Sequence, residues 1–385
     1  QKSPVNYLKY RFSFAEVGND TSPYRTSKYY NRSDFASSAT VPTELYNTNF
    51  KPEITTSYET GIEARLLNNR INLDATLYET RTKNQILAVP IDITTGYSSA
   101  VLNSGVVQNR GAELSLTGKI IKNEKFQWES TLTYSKIWNK VLELAEGIDN
   151  QQIIGEAGQA TILAKVGGTA TAIYGAGFVR SPDGRIVYDE GGLPAYPDDV
   201  QYIGDATPDF RAGLYNSFHF GNFTLNALLD AQSGGIIYSQ TFHKLTEQGK
   251  LKHTYFGRED GFIVGDGVVL NEDGTYSENT TEVVTPDWYA RYYRRANVES
   301  NSFDASYIKL REVSFQYDFP QRFIQNTGIQ NLNLSLFGRN LIMITDFPIY
   351  DPETAALNGS TILPGVEIGQ MPSPATYGLN LKATF

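Results

Sequence analysis

Apolar and polar residues alternate along many segments of this chain, and the clearest example is the final one, from Tyr377 to Phe385. Tyr377, Leu379, Leu381, Ala383 and Phe385 occupy every second position, and polar or small residues lie between them. Successive side chains of a β-strand point to opposite faces of a sheet. This segment therefore predicts a strand with one apolar face and one polar face.

The same alternation predicts about ten strands along the chain. They cover Tyr7–Ala15, Ser57–Leu66, Ile71–Thr80, Arg110–Gly118, Phe126–Ser135, Asp209–Phe218, Phe223–Ala231, Tyr307–Phe319, Asn331–Asn340 and Thr376–Phe385. Such a set predicts an all-β, antiparallel fold.

The connections between these strands alternate in length. Short turns at 67–70, 119–125, 219–222 and 320–330 alternate with long connections at Glu16–Thr56, Arg81–Asn109, Lys136–Pro208, Gln232–Ser306 and Leu341–Ala375. Compact soluble domains mostly keep their connections short. Outer-membrane β-barrels combine short periplasmic turns with long extracellular loops. The rhythm therefore favours a transmembrane β-barrel, and a large β-sandwich is the alternative.

Aromatic residues near the ends of the apolar faces support the membrane interpretation. Phe126 and Tyr134 share one face, as do Tyr377 and Phe385. At about 3.3 Å per residue and a tilt near 40°, each pair spans roughly 20 Å in height, close to the apolar band of about 25 Å in such barrels. The competing explanation is that aromatic residues simply favour strands.

Local turn signals indicate structure within the connections. The segment from Pro320 to Gly328 predicts a short helical turn that ends at the glycine. Asp183-Gly184 and Asp273-Gly274 lie between strand-like runs, so each predicts the tip of a hairpin within a long loop.

Composition excludes several classes of protein. The net charge of −9 and pI of about 5.0 argue against a nucleic-acid-binding surface. Cysteine is absent, which excludes disulfides and thiolate chemistry. No apolar run is long enough for a membrane-spanning helix. The mean hydropathy of −0.35 resembles that of a soluble protein, but half of each strand in a membrane barrel faces water.

Residues that would indicate catalysis or a cofactor are sparse. His243 and His253 share a connection, but their spacing fits no zinc motif, and we expect exposed loop histidines. No nucleophile elbow, phosphate-binding loop or dinucleotide fingerprint occurs. Acidic pairs that could hydrolyse a glycosidic bond exist in number, but nothing selects one. The sequence therefore predicts no enzyme, no cofactor and no metal site.

Charged residues on the polar faces have a structural explanation. Within a barrel they can form cross-strand ladders around the lumen or hold a plug. These residues are Glu59, Glu63, Arg65, Lys309, Arg311 and Arg339.

Aromatic residues in the long connections are candidates for ligand binding, because aromatic faces pack against sugar rings and apolar peptide side chains. The candidates for substrate binding are Trp288, Tyr289, Tyr292 and Tyr350. Packing between loops, or contact with a partner protein, is the alternative explanation for each.

Several segments together resemble the barrel of SusC-like TonB-dependent transporters of Bacteroidetes. The matching segments are Tyr58–Tyr78, Thr82–Leu87, Gly96-Tyr97, Asn103–Gly105, Asn109–Leu116, Tyr307–Pro320, Gly338–Leu341 and Tyr350–Glu353. The connections Lys136–Pro208 and Gln232–Ser306 match poorly, and such transporters differ there by substrate.

The resemblance implies a barrel of about twenty-two strands in the outer membrane. It further implies a plug domain within the barrel, a SusD-like surface lipoprotein that captures oligosaccharide or peptide, and TonB bound to the plug. Residues 1–385 would then be the C-terminal part of the barrel, without the plug and the first half of the wall. The remaining N-terminal part would complete the wall, because open sheet edges favour aggregation.

Four functions remain open at this point, and the last in rank is an outer-membrane hydrolase. The first is energy-coupled import of a large nutrient, either oligosaccharide or oligopeptide, across the outer membrane. The second is a structural or adhesive membrane barrel that transports nothing. The third is a soluble carbohydrate-binding β protein, which would stay in solution without detergent.

Overall fold

Ten long strands form one antiparallel sheet in the computed structural model of the protein, and they are paired in chain order. The structure describes residues 3–21, 25–35, 37–144, 151–157, 159–358 and 361–385. Parts of the predicted connections Glu16–Thr56, Lys136–Pro208 and Leu341–Ala375 lie outside these ranges. The strands are β1 Val5–Asn19, β2 Glu53–Leu66, β3 Ile71–Pro90, β4 Ser99–Lys122, β5 Phe126–Glu143, β6 Phe210–Phe220, β7 Phe223–Ser233, β8 Tyr307–Asp318, β9 Asn331–Thr345 and β10 Thr376–Thr384.

Each predicted strand corresponds to one strand of this sheet, so the all-β prediction is confirmed. Among the described residues, β1 pairs only with β2 and β10 only with β9, so the sheet has two free edges. A short strand, Glu44–Leu45, also pairs in parallel with the start of β4.

The predicted long connection Arg81–Asn109 is wrong. β3 continues to Pro90 and β4 begins at Ser99, so most of this segment is a two-stranded extension of the wall. Val89 and Val101 are buried on this extension, and Glu44–Leu45 lies along it. Burial of these β-branched residues against a neighbouring segment stabilises strand where loop was predicted. At its tip, the short 3₁₀ helix Ile93–Thr95 closes the hairpin.

The register of the strands places apolar residues in continuous rows across one face of the sheet. One row contains only aliphatic residues and crosses nine strands, from β1 to β9: Leu8, Ala64, Leu73, Leu116, Leu132, Leu214, Leu229, Leu310 and Ile342. A neighbouring row on the same face runs through Tyr10, Ile62, Ala75, Leu114, Tyr134, Ala212, Ala231, Ile308 and Ile344. Many of these side chains are exposed on the sheet, Leu8 and Tyr10 among them. A face of this kind is typical of contact with lipid.

The same register places polar residues on the opposite face. One row there runs through Arg11, Gly61, Thr76, Glu113, Ser135, Arg211, Gln232 and Tyr307. The sheet thus has an apolar face and a polar face, as the alternation predicted.

Aromatic side chains cluster on the apolar face at the end that carries the short turns. Phe126 pairs with Phe220, Phe220 with Phe223, and Phe223 with Tyr317. The ring centroids of Phe220 and Phe223 lie 5.7 Å apart, and those of Phe223 and Tyr317 lie 4.8 Å apart. Such a band of rings marks the boundary of the apolar zone in membrane barrels.

The predicted turn structures are confirmed. Helix α3, Gln321–Ile324, follows Pro320, and Gly328 ends the turn with a φ of 74°. At Asp183-Gly184 and Asp273-Gly274, each glycine has a positive φ and donates its N–H to the carbonyl three residues earlier.

The long connections at the other end of the sheet pack together into one lobe, which we call the outer lobe (residues 151–157, 159–209, 234–306 and 346–375 of the described chain). Its short strands are Gln151–Ala157, Ala160–Lys165, Ala172–Gly175, Val187–Tyr188, Gln201–Asp205, Ile236–Ser239, Phe262–Val264, Val268–Leu270, Tyr276–Glu278, Glu282–Val284, Ser302–Asp304, Ala356–Asn358, Thr361–Leu363 and Val366–Glu367. It also holds helices α1 Gln240–Glu247 and α2 Thr285–Tyr292, and the 3₁₀ helix Lys252–Tyr255. Near β1, Asn31–Arg32 pairs with Ala39–Thr40.

Residues from three connections share the core of the outer lobe. Ile173, Tyr238 and Val366, which come from different connections, lie in one buried cluster. Strand Ile236–Ser239 pairs with Ser302–Asp304 and also with Val366–Glu367 from the following connection. The three connections are therefore one packed unit. Within the described residues, every helix is too short or too polar to cross a bilayer.

Candidate functional site

A hollow of about 660 Å³ lies on the polar face of the sheet. Charged side chains from β1, β3, β4, β6, β7 and β8 line it: Arg11, Asp74, Glu113, Arg211, Asp230 and Arg311. Arg11 donates to both carboxylate oxygens of Asp74, at 3.0 and 2.7 Å. The wall thus presents both signs of charge to this space, which suits contact with a polar ligand or another polar protein segment.

The expected cross-strand ladders are present on this face. Arg339 donates to Glu312 on the neighbouring strand at 2.8 Å, and Arg11 lies 3.6 Å from Glu59. Arg65 and Glu63 instead pair along one strand, at 3.1 Å. These pairs are partly exposed, so each contributes little to stability.

A buried ionic network joins β8 to the connection 346–375. Lys309 donates to Asp351 Oδ1 at 2.6 Å and also to Glu353. Arg311 donates to Glu353 Oε1 at 2.8 Å and to Asp230 on β7, and the Tyr307 hydroxyl donates to the same Glu353 oxygen at 2.8 Å. The network fixes this connection against the polar face of the wall.

Hydrogen bonds from neighbouring side chains keep the two carboxylates of this network, Asp351 and Glu353, in their ionised form. Burial opposes ionisation of Glu353, but hydrogen bonds from Arg311, Lys309 and Tyr307 outweigh it and lower the pKa to about 2. Burial also opposes ionisation of Asp351, and hydrogen bonds from Lys309 and Ser373 outweigh it, so the pKa of Asp351 lies below its usual range. Both carboxylates are therefore ionised at neutral pH.

Tyr350 lies beside this network and remains half exposed. It lines a small cavity of about 110 Å³ together with Lys309, Met343 and Ser373. Its φ of 39° is unusual for a residue with a side chain, and the tight backbone there precedes the buried Asp351. The ring is therefore held at the surface next to the polar face.

The other three candidate residues, Trp288, Tyr289 and Tyr292, all belong to α2. Trp288 stacks on Tyr292 with ring centroids 4.6 Å apart, and Tyr292 contacts Phe178 at 4.8 Å. Tyr289 is buried, and its hydroxyl donates to the carbonyl of His253 at 2.7 Å. Among the described rings, none of these three contacts Tyr350. The four candidates therefore lie at two separate sites, one on α2 and one beside the ionic network.

The expectation of exposed loop histidines is wrong. His243 is buried, and its Nδ1 lies 2.6 Å from the Tyr293 carbonyl. His253 stacks on Phe242 with centroids 5.0 Å apart, and its Nε2 lies 3.2 Å from the Thr246 hydroxyl. Burial lowers the pKa of both imidazoles below the ordinary value. Both imidazoles are therefore neutral at pH 7 and pack within the outer lobe.

Two arginines close to these aromatic residues, Arg291 and Arg294, were not among the candidates from the sequence. The Arg294 guanidinium lies 3.4 Å from the ring centroid of Tyr196, and that of Arg291 lies 4.9 Å from the same centroid. Tyr196 belongs to a different connection, so only the arginine-rich stretch 291–295 could have suggested this cluster.

A family model described as "TonB dependent receptor-like, beta-barrel" matches residues 3–341. TonB-dependent receptor P3 of Formosa agariphila is 28% identical over 98% of this chain and 39% of its own length. TonB-dependent receptor SusC of Bacteroides thetaiotaomicron is 26% identical over 89% of the chain and 33% of its own length. The chain thus spans about two fifths or less of these relatives.

The fold is also similar to that of a solved structure. The RagAB peptide transporter superposes with a TM-score of 0.74 at 18% identity, and the match covers 100% of this chain and 42% of that one. At this identity, the match concerns the fold alone.

Proposed function

Because the chain belongs to the TonB-dependent receptor-like β-barrel family of the outer membrane, we propose that it forms part of an energy-coupled importer of a large nutrient. In this proposal, residues 1–385 are the C-terminal part of the barrel wall. The plug domain and the first half of the wall belong to the remaining N-terminal part of the protein. The observation that carries the proposal is the sheet with an aliphatic face and a charged face, topped by a packed outer lobe.

The geometry supports each part of this assignment. The aliphatic rows suit contact with outer-membrane lipid, and the charged hollow suits a water-filled or plugged lumen. The free edges of β1 and β10 provide hydrogen-bonding groups for further strands of the same wall. TonB would act through the plug from the periplasm.

We propose a SusD-like lipoprotein as the partner at the cell surface. The support is the likeness to SusC and to the RagAB transporter, together with an outer lobe whose exposed rings include Tyr255 and Phe256. Exposed aromatic side chains are typical of protein interfaces.

The proposed cargo is an oligosaccharide or an oligopeptide. Tyr350, with its half-exposed ring above the polar face, is the strongest of the four aromatic candidates for cargo contact. Trp288 and Tyr292 offer partly exposed ring edges, whereas buried Tyr289 would support them from below. We propose uptake without cleavage, since Asp351, Glu353 and Asp230 are each ion-paired with Lys309 or Arg311.

Uptake by whole cells tests this proposal. Deletion of the complete gene should abolish uptake of one labelled class, oligosaccharide or oligopeptide, and a protonophore should block that uptake while leaving surface binding intact. The adhesive alternative predicts the opposite pattern, with uptake unchanged and surface attachment lost. That pattern would overturn the importer assignment.

A further inference from the structure

The C-terminal end of α2 carries nitrogen donors that lack acceptors. Trp288 Nε1, Arg291 Nε and Arg294 Nε are all buried without a hydrogen-bond partner among the described residues. Trp288 and Arg291 are three positions apart in the helix, so they share one face, and Arg294 follows just after the helix ends. Unsatisfied buried donors are rare in native proteins, and a group of three calls for an acceptor.

These donors belong to one contiguous cluster, which we call the arginine–aromatic cluster (Phe178, Tyr196, Trp288, Arg291, Tyr292 and Arg294). Trp288 stacks on Tyr292, Tyr292 contacts Phe178, and Phe178 stacks on Tyr196 at 6.0 Å. Both guanidinium groups contact the Tyr196 ring, so their carbons lie roughly 8 Å apart or less, within a Debye length of about 10 Å.

The two positive charges of this cluster have no counter-charge in the described part of the chain. No carboxylate of the described residues lies within ion-pair distance of either guanidinium, whereas Arg180 and Arg185 of the outer lobe and Arg11, Arg311 and Arg339 of the wall each have such a partner. A water molecule could satisfy an Nε donor, but it would leave both charges uncompensated. An anion bound at the accessible end of a guanidinium would compensate its charge and accept from its Nη groups.

The terminal Nη atoms of both arginines remain accessible. The buried partnerless atoms of these side chains are the Nε atoms alone, and the Nη atoms make no hydrogen bond within the described residues. Each guanidinium is thus oriented by the Tyr196 ring and has its free end available. Guanidinium groups held in this way are suited to bidentate binding of carboxylates.

We propose that the arginine–aromatic cluster binds a carboxylate group of the imported cargo. This proposal rests on the import function above and deepens it, since it assigns an acidic cargo. The stacked rings of Trp288 and Tyr292 would pack against the adjoining apolar or sugar-ring surface. The carboxylate could come from an acidic peptide or from an oligosaccharide of uronic acids.

Binding measurements on the full-length protein in detergent test this proposal. The probes are a short oligoglutamate with an amidated end, an oligouronate, and a neutral oligoglucan and oligoalanine of similar length as controls. We expect at least one acidic probe to bind, and whichever binds identifies the source of the carboxylate. Binding should weaken as salt is raised, because the attraction is between charges.

Matched substitutions locate the site. Arg291→Gln and Arg294→Gln should each weaken binding of the acidic probe by about tenfold, the loss expected when one charge-assisted hydrogen bond is removed. Arg295→Gln is the control, because it removes the same charge next to the cluster but from an exposed side chain without a ring contact. Unchanged melting temperatures for all three variants would show that the fold is kept.

Several results would overturn the proposal. One is that neither acidic probe binds. Another is that the Arg291→Gln and Arg294→Gln variants bind the acidic probe as tightly as the unsubstituted protein. A third is that Arg295→Gln weakens binding of the acidic probe as much as they do. None of these results affects the import function, which is tested separately by energised uptake in the deletion strain. Conversely, specific binding without energised uptake would uphold the site and contradict the importer.

Discussion

Lys309 Nζ lies 2.6 Å from Asp351 Oδ1, and the two side chains are only 3% and 6% exposed. One residue belongs to a wall strand, and the other to the connection that leads from β9 to β10. The pair therefore attaches a segment of the outer lobe directly to the polar face of the wall, and Glu353 and Arg311 extend the attachment.

Lys309→Met should loosen this attachment severely. Removal of one partner of a buried ion pair leaves an uncompensated charge and typically costs about 3–5 kcal/mol. We expect faster hydrogen exchange and faster proteolysis in residues 346–375 of the full-length protein, with the wall strands still protected. Arg339→Met is the control, since its pair with Glu312 is exposed and worth about 0–1 kcal/mol. Equal protection of 346–375 in both variants would contradict this role.

Acid should release the same segment. The folded state lowers the pKa of Glu353 from 4.5 to about 2, so the unfolded state binds protons more readily. The stabilisation is fully present above pH 4.5 and is lost as the pH falls towards 2. Hydrogen exchange of residues 346–375 across this range should show the loss. In Glu353→Gln the loss should be smaller, because the titrating group is gone.

The buried His243 predicts a separate transition at higher pH. Burial lowers the pKa of His243 below 6.5, so the folded lobe holds it neutral while the unfolded chain takes up a proton. The free energy of unfolding of α1 is therefore greatest above pH 6.5 and decreases as the pH falls below that value. Hydrogen exchange of α1 amides measures this. His243→Gln should reduce the pH dependence and His219→Gln, on the wall, should leave it unchanged. A response equal in both variants would exclude His243 as its source.

The apolar face of the wall can be tested with a matched pair of arginine substitutions. Leu132 belongs to the aliphatic row, whereas the adjacent Thr131 points to the polar face. Leu132→Arg should destabilise the folded barrel by about 2–4 kcal/mol, and Thr131→Arg should have little effect. The folded fraction after mild heating in detergent, read from gel mobility of the full-length protein, gives the comparison. Equal destabilisation by the two substitutions would contradict the prediction that only the apolar face contacts lipid.

The wall was predictable because its signal is local. Period-two alternation over a few residues located all ten strands, and Asp-Gly pairs located two hairpins. The extension at 81–109 was missed because Val89 and Val101 are stabilised by burial against neighbouring segments, and that burial is invisible in a local pattern.

The outer lobe was less predictable because its contacts join distant residues. Nothing local in the sequence indicates that His243 is buried or that His253 is half-buried, since their contacts come from Tyr293 and Phe242. Arg291 and Arg294 meet Tyr196 from a different connection. Lys309 and Arg311 were assigned correctly to a polar face, but their carboxylate partners lie more than forty residues away.

The shared pairing of Ile236–Ser239 with Ser302–Asp304 and Val366–Glu367 has an evolutionary consequence. Under the proposed import function, exchange of a single surface loop with a relative should not transfer cargo preference, because the exchanged piece would lack its pairing edges. Successful chimaeras should require all of the interlocked loops to be transplanted as a set. Variation among relatives is then expected to accumulate in a correlated manner across these loops.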